Sequence, residues 1–124
     1  MTDYEKVQQI CKVLASKRAT EINVLNLQGV SDVADYFVVC SGRSTPLVKA
    51  LARYVDEEMS QLGVELKRSE GMREGRWIAL DFDNVMVHIF HQEAREFYQL
   101  DKLWANGTNL THYEEEEPKK QKKA

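Results

Sequence analysis

An α/β domain with one mixed β-sheet and flanking helices is the fold class this sequence predicts, and three observations carry it. Residues 75–91, GRWIALDFDNVMVHIFH, alternate with a period of two about a polar Asp83-Asn84 pair, the pattern of a β-hairpin. Residues 35–41, DYFVVCS, are nearly continuously apolar, as in a central strand covered on both faces. Residues 47–62 place Leu47, Leu51, Val55, Met59 and Leu62 at helical spacing.

In chain order, Asp3 is the expected cap of a first helix reaching Lys17, with Val7, Ile10, Cys11 and Leu14 as its buried stripe. A strand follows over 21–27, a turn at Gln28-Gly29, and then the central strand 35–41. Ser44 caps the next helix, Pro46 falls in its first turn, and Gly63 ends it in a left-handed conformation. Residues 65–69 form a charged edge strand. A polar loop bracketed by Gly71 and Gly75 leads into the hairpin. An even-length turn pairs Trp77 with Phe90, Ala79 with His88 and Asp81 with Met86. Ile78, Leu80, Phe82, Val85, Val87 and Ile89 then share the opposite, purely apolar face. A last helix runs from His91 to Leu100 and on to Trp104, with Phe97, Leu100, Leu103 and Trp104 as its apolar side. The division is a domain over 1–105 and a charged, disordered tail over 106–124.

Composition narrows the function. A chain of 124 residues with 43% hydrophobic and 30% charged residues fits a single soluble domain. Its net charge of −3 speaks against a general nucleic-acid binder and suits a basic protein partner better. No apolar run approaches a membrane span and the polar start is not a leader, so the expected location is cytoplasmic. Cys11 and Cys40 read as buried thiols without metal spacing.

Four features carry candidate chemistry. Ser41-Gly42-Arg43-Ser44 joins a strand to a helix, as the glycine-serine turn of nucleotidyltransferases does, but no carboxylate pair follows at the spacing those enzymes need; a capped helix explains it. Asp81 and Asp83 share a strand face and are the ligands of the alternative reading, a Mg²⁺-dependent nucleotidyltransferase-like enzyme, although Asp83-Asn84 is also a favoured turn pair. His88 and His91 have opposite parity and cannot ligate one metal from a regular strand; His91 is expected to end the strand. Trp77, Met86 and Phe90 with Asp81, His88 and Arg95 have the composition of a protein-binding patch, or of a face packed beneath another helix.

Together these pieces resemble one family. Residues 34–42 (ADYFVVCSG), Glu70-Gly71, 75–81 (GRWIALD), 85–90 (VMVHIF), Arg95 and 97–104 (FYQLDKLW) are similar, in order and spacing, to the ribosomal silencing factor (RsfS, Iojap-like) family over roughly residues 5–105. The departures are small: Phe97 and Asp101 stand where tyrosine and glutamate are common. The resemblance implies a nucleotidyltransferase-like fold without the catalytic carboxylates, no enzyme activity, and neither cofactor nor metal. It further implies binding to the large ribosomal subunit through its fourteenth protein, on the face that meets the small subunit, so that subunit joining is blocked and translation repressed. Trp77, Asp81, His88, Arg95, Tyr98 and Trp104 are the expected partner-binding residues, with Asp35 and Tyr36 second. Trp104 is either interface or core. An exposed aromatic patch also allows a homodimer.

Overall fold

The computed structural model describes residues 1–114. Helix α1 (Asp3–Ser16) leads to β1 (Thr20–Asn26) and the central β2 (Tyr36–Gly42). Then follow α2 (Thr45–Gln61), β3 (Arg68–Glu70), β4 (Trp77–Asp81) and β5 (Val85–His91). Two short helices, α3 (Gln92–Tyr98) and α4 (Leu100–Trp104), precede β6 (Leu110–His112). The six strands form one mixed sheet in the order β3-β4-β5-β2-β1-β6. Only β2 and β5 run parallel; the other four pairings are antiparallel.

The hairpin has the expected register: Trp77 opposite Phe90, Ala79 opposite His88, Asp81 opposite Met86. Its turn is Asp83-Asn84, closed by Phe82 N–H donating to the Val85 carbonyl at 2.9 Å, with Asp83 at φ +79°. The Asn84 carbonyl in turn accepts from the amides of Asp35 and Tyr36, which ties the turn to the start of β2.

Alternation along the strands divides two cores. Ile78, Leu80, Phe82, Val85, Val87 and Ile89 face α1 and α2, and pack on Val7, Ile10, Leu14, Val48, Leu51, Val55 and Met59. Leu25, Leu27, Phe37, Val39 and Phe90 point the other way, under Ala94 of α3 and Leu100 of α4. So β2 is covered on both faces and the helices flank both sides of the sheet. Cys11 and Cys40 are buried, and burial pushes both thiols up to about 12, so neither is a ready nucleophile.

Several boundaries differ from expectation for local reasons. The cap of α1 is Thr2, whose hydroxyl accepts from Glu5 N–H while the Glu5 carboxylate accepts from Thr2 N–H, a reciprocal capping box. In α2, capped by Ser44, Val48 and Ala52 join the buried stripe and Leu62 is exposed, because the helix ends at Gln61 and Gly63 turns away at φ +82°. The final helix is broken at Gln99, which adopts φ +50°, and the break turns Phe97 and Leu103 out to solvent. The sheet does not stop at residue 105 either: Leu110 and His112 of β6 pair with Leu25 and Asn23 of β1. The charged part of the expected tail, residues 115–124, lies outside the described residues.

Two glycines are placed by close approach. At Gly42 a Cβ would stand 3.0 Å from Val48 Cγ2, so the strand-to-helix turn is packed tightly on α2. At Gly71, with φ +88°, it would stand 2.0 Å from the Trp77 carbonyl oxygen. Gly71→Ala should therefore destabilise the domain by about 3 kcal/mol, which urea unfolding at constant pH will measure.

Candidate docking site

The second face of the sheet is only partly covered. Helix α3 lies on β5 and β2, and α4 on β1. Neither is long enough to reach the far edge of the sheet, so the side chains of β4 on this face stay half-buried. Here the structure assembles a chain of aromatic rings. Trp77 stacks on Phe90 with centroids 4.8 Å apart and 28° between planes, and Tyr98 of α3 packs on Trp77 at 4.9 Å. Phe97 lies edge-on to Tyr98 at 5.0 Å. On the inner side, Phe37 contacts the His88 ring at 4.5 Å and Trp104 at 5.7 Å.

His88 sits inside this chain and is only 6% exposed. Its Nδ1 accepts a hydrogen bond from Trp77 Nε1–H at 3.1 Å, while Nε2 is buried without a hydrogen-bond partner among the described residues. A buried, unpartnered donor costs about 1–3 kcal/mol. Burial pushes the imidazole down to about 4, against the opposing pull of the Asp101 carboxylate. His88 is therefore neutral at ordinary pH and lies beneath the surface rather than projecting from it, and its hydrogen bond among the described residues goes to Trp77.

Arg95 likewise departs from expectation. Its side chain is only 10% exposed, and its guanidinium grips Asp101 in two parallel bonds, Nε to Oδ1 at 2.9 Å and Nη2 to Oδ2 at 3.0 Å. Nη1 donates to Ser41 Oγ at 2.8 Å, and Asn23 Nδ2 donates to Asp101 at 2.9 Å. Burial raises the Asp101 carboxyl, but the hydrogen bonds from Arg95 and Asn23 and the Arg95 charge outweigh it and hold the group below its usual range. The network ties β1, β2, α3 and α4 together and closes the floor of a cleft of about 530 Å³, whose rim includes Glu21, Glu93 and Glu96. Arg95 holds the fold; its bonds are made within the domain.

The remaining expected residues divide. Trp77 is half-buried and Tyr98 is 48% exposed, and they touch. Trp104 is half-buried and packs against the second core. Asp81 does not join the aromatic chain; its Oδ1 accepts from Asp83 N–H at 2.8 Å and shapes the hairpin turn. Asp35 and Tyr36 are half-buried at the mouth of β2. His91 ends β5, as expected, and caps α3, its Nδ1 accepting from Glu93 N–H at 3.2 Å. No group of three or more His, Cys, Asp and Glu side chains among the described residues is placed to share a metal ion. Phe97 and Leu103, 76% and 74% exposed, are the surface residues that helical spacing hid. No local signal marks Gln99 as the break that exposes them.

The sequence model of the family described as "Ribosomal silencing factor during starvation" (RsfS) matches residues 1–124. The chain belongs to this family. Among its relatives is the ribosomal silencing factor RsfS of Bacillus subtilis, 40% identical over 104 residues that cover 81% of this chain and 88% of the relative. A crystal structure from Bacillus halodurans superposes with a TM-score of 0.75 at 35% identity, covering 82% of this chain and 95% of that one. A mouse protein named "Mitochondrial assembly of ribosomal large subunit protein 1" is 29% identical over 79% of this chain and 44% of its own length. This member of the family has a mixed six-stranded sheet with an uneven helical cover.

Two outcomes are expected. The unfolded His88 takes up a proton near 6.5 and the folded one near 4, so the unfolded state binds more protons between those values. Stability should therefore fall as pH drops through that window, by about 3 kcal/mol from this residue, and level off below it. Asp101, depressed when folded, adds its own loss below its usual 3.8. Urea titrations at stepped pH, with His88→Phe as the reference lacking the first component, will show this. Asp101→Ala leaves the Arg95 charge buried and should cost about 3–5 kcal/mol, read from the same unfolding curves.

Proposed function

We propose that this protein represses translation by docking on the large ribosomal subunit, through its fourteenth protein, and occluding the surface that the small subunit needs. The reading requires no bond to be made or broken. The observation that supports it best is the exposed apolar surface of α3 and α4. Phe97 and Leu103 project almost wholly into solvent, and Phe97 continues through Tyr98 to the half-buried Trp77. Aromatic anchors seated on a packed base are the composition of an interface centre. Glu93 and Glu96 are exposed on the same helix, so a basic partner surface is electrostatically matched. Family membership supports association with the ribosome, and the name of the mouse relative points to the large subunit. In this reading Trp77, Tyr98, Phe97 and Leu103 touch the partner, Asp81 borders the patch, and His88, Arg95 and Trp104 support it from beneath.

Pelleting through a sucrose cushion with isolated large subunits is the direct test. The protein should travel with the subunits and reduce their joining to small subunits. Phe97→Ser and Leu103→Ser should each weaken pelleting by about tenfold while changing the melting temperature little, because both side chains are mostly exposed in the free protein and Phe97 touches only the edge of Tyr98. Wild-type protein that stays in the supernatant at micromolar concentration refutes the reading.

A further inference from the structure

One ring nitrogen of His88 is used and the other is stranded. Nδ1 accepts from Trp77 Nε1–H, and a nitrogen that accepts carries no hydrogen, so the neutral ring holds its proton on Nε2. That N–H finds no acceptor among the described residues. The ring's contacts are apolar or aromatic, with Ala79 and Val39 across the two adjacent strands and Phe37 and Trp77 against the ring itself, while the Asp101 carboxylate acts on it through space without a hydrogen bond. This is a site built for an apolar side chain. A leucine or phenylalanine would fill it and remove the stranded Nε2–H, leaving the Trp77 indole N–H to water, so packing alone does not explain an imidazole there. The only polar work the ring does is at Nδ1, where it holds an indole.

We propose that His88 is a positioning residue for the docking surface, fixing the Trp77 indole plane against Phe90 and Tyr98 at the expense of the domain's own stability. This rests on the docking reading above. Trp77 sits on β4, where the helical cover thins to the Tyr98 ring at the end of α3, so its side chain stays half-buried. Without an acceptor beneath it, the indole N–H turns to water and the ring leaves the stack with Phe90. A partner must then order that side chain on binding, which weakens association. Because burial keeps the imidazole neutral, the acceptor is present at ordinary pH.

The test uses the full chain with His88→Phe, His88→Gln, Trp77→Phe and the Trp77→Phe/His88→Phe pair. The indole N–H resonance of Trp77, assigned by its loss in Trp77→Phe, should shift toward the position of a solvated indole in His88→Phe. The melting temperature of His88→Phe should equal or exceed that of wild type. Large-subunit binding should weaken about tenfold, and the double variant should bind no worse than Trp77→Phe alone, since His88 acts through Trp77. His88→Gln, whose amide oxygen can accept, should recover part of both the resonance position and the binding. A His88→Phe protein that melts several degrees lower makes the histidine a core residue and overturns the proposal, whatever its binding. Unchanged binding, or additive losses in the double variant, also overturns it. If wild type does not bind subunits, the docking reading fails, while the indole resonance and melting temperature still decide whether His88 holds Trp77.

Discussion

The parallel pairing of β2 with β5, in register from Tyr36 with Val85 to Gly42 with His91, is the constraint on which the rest of the domain depends. Parallel neighbours cannot be joined by a tight turn, so the chain between them must cross over. It does so through α2, then returns by way of β3 and β4 on the outer edge. The two strands also release the chain to opposite faces: β2 feeds α2 on one side and β5 feeds α3 on the other. Each face therefore has its own cover, and the covers are unequal. Two helices of fourteen and seventeen residues shield one face, while seven and five residues shield the other. The thinly covered strip over β4 is a direct result of that inequality.

What could be read from the sequence follows from how local each signal is. The hairpin register was legible because a period of two with a two-residue turn permits one pairing, and a slip by one residue would put Ile78 and Leu80 on the wrong face. The cover of β2 on both faces was legible from its unbroken apolar run. The break at Gln99 was not. Residues 92–104 keep helical apolar spacing on paper, and a left-handed residue that is neither glycine nor asparagine leaves no mark in the sequence. Nor was β6, three exposed residues held through the backbone of β1, which need no hydrophobic pattern at all. Thr2 and Asp3 are both good cap residues; Glu5, three beyond Thr2, was the signal that separates them.

The site was half legible for the same reason. Parity alone put Trp77, His88 and Phe90 on one face of the hairpin. Whether His88 pointed to solvent or lay beneath other rings depended on Phe37 and on where α3 settles, which are tertiary facts. Arg95 looked like a contact residue because its partners were invisible. Asp101 lies six positions away, outside the three- and four-residue spacings of one helix, and only the turn at Gln99 brings the two together. Ser41 and Asn23 come from strands far off in the chain. The same break thus hid the role of Arg95 and the exposure of Phe97 and Leu103.

Two local departures from good packing meet on this face. Phe97 and Leu103 are mostly exposed, where large apolar side chains contribute little to the isolated domain, and His88 carries a buried donor with no acceptor among the described residues. Elsewhere the polar groups are well provided for: Arg95, Asp101 and Asn23 satisfy one another, and Ser44, Thr2 and His91 cap their helices. A chain whose local choices agree with its fold tolerates exceptions where function requires them. The two exceptions are joined through Trp77 and Tyr98, whose rings run without a gap from the stranded imidazole to the exposed phenyl group. A stability optimum would remove both; a surface that must present rigid aromatic rings to a partner needs the first set exposed and the second held still.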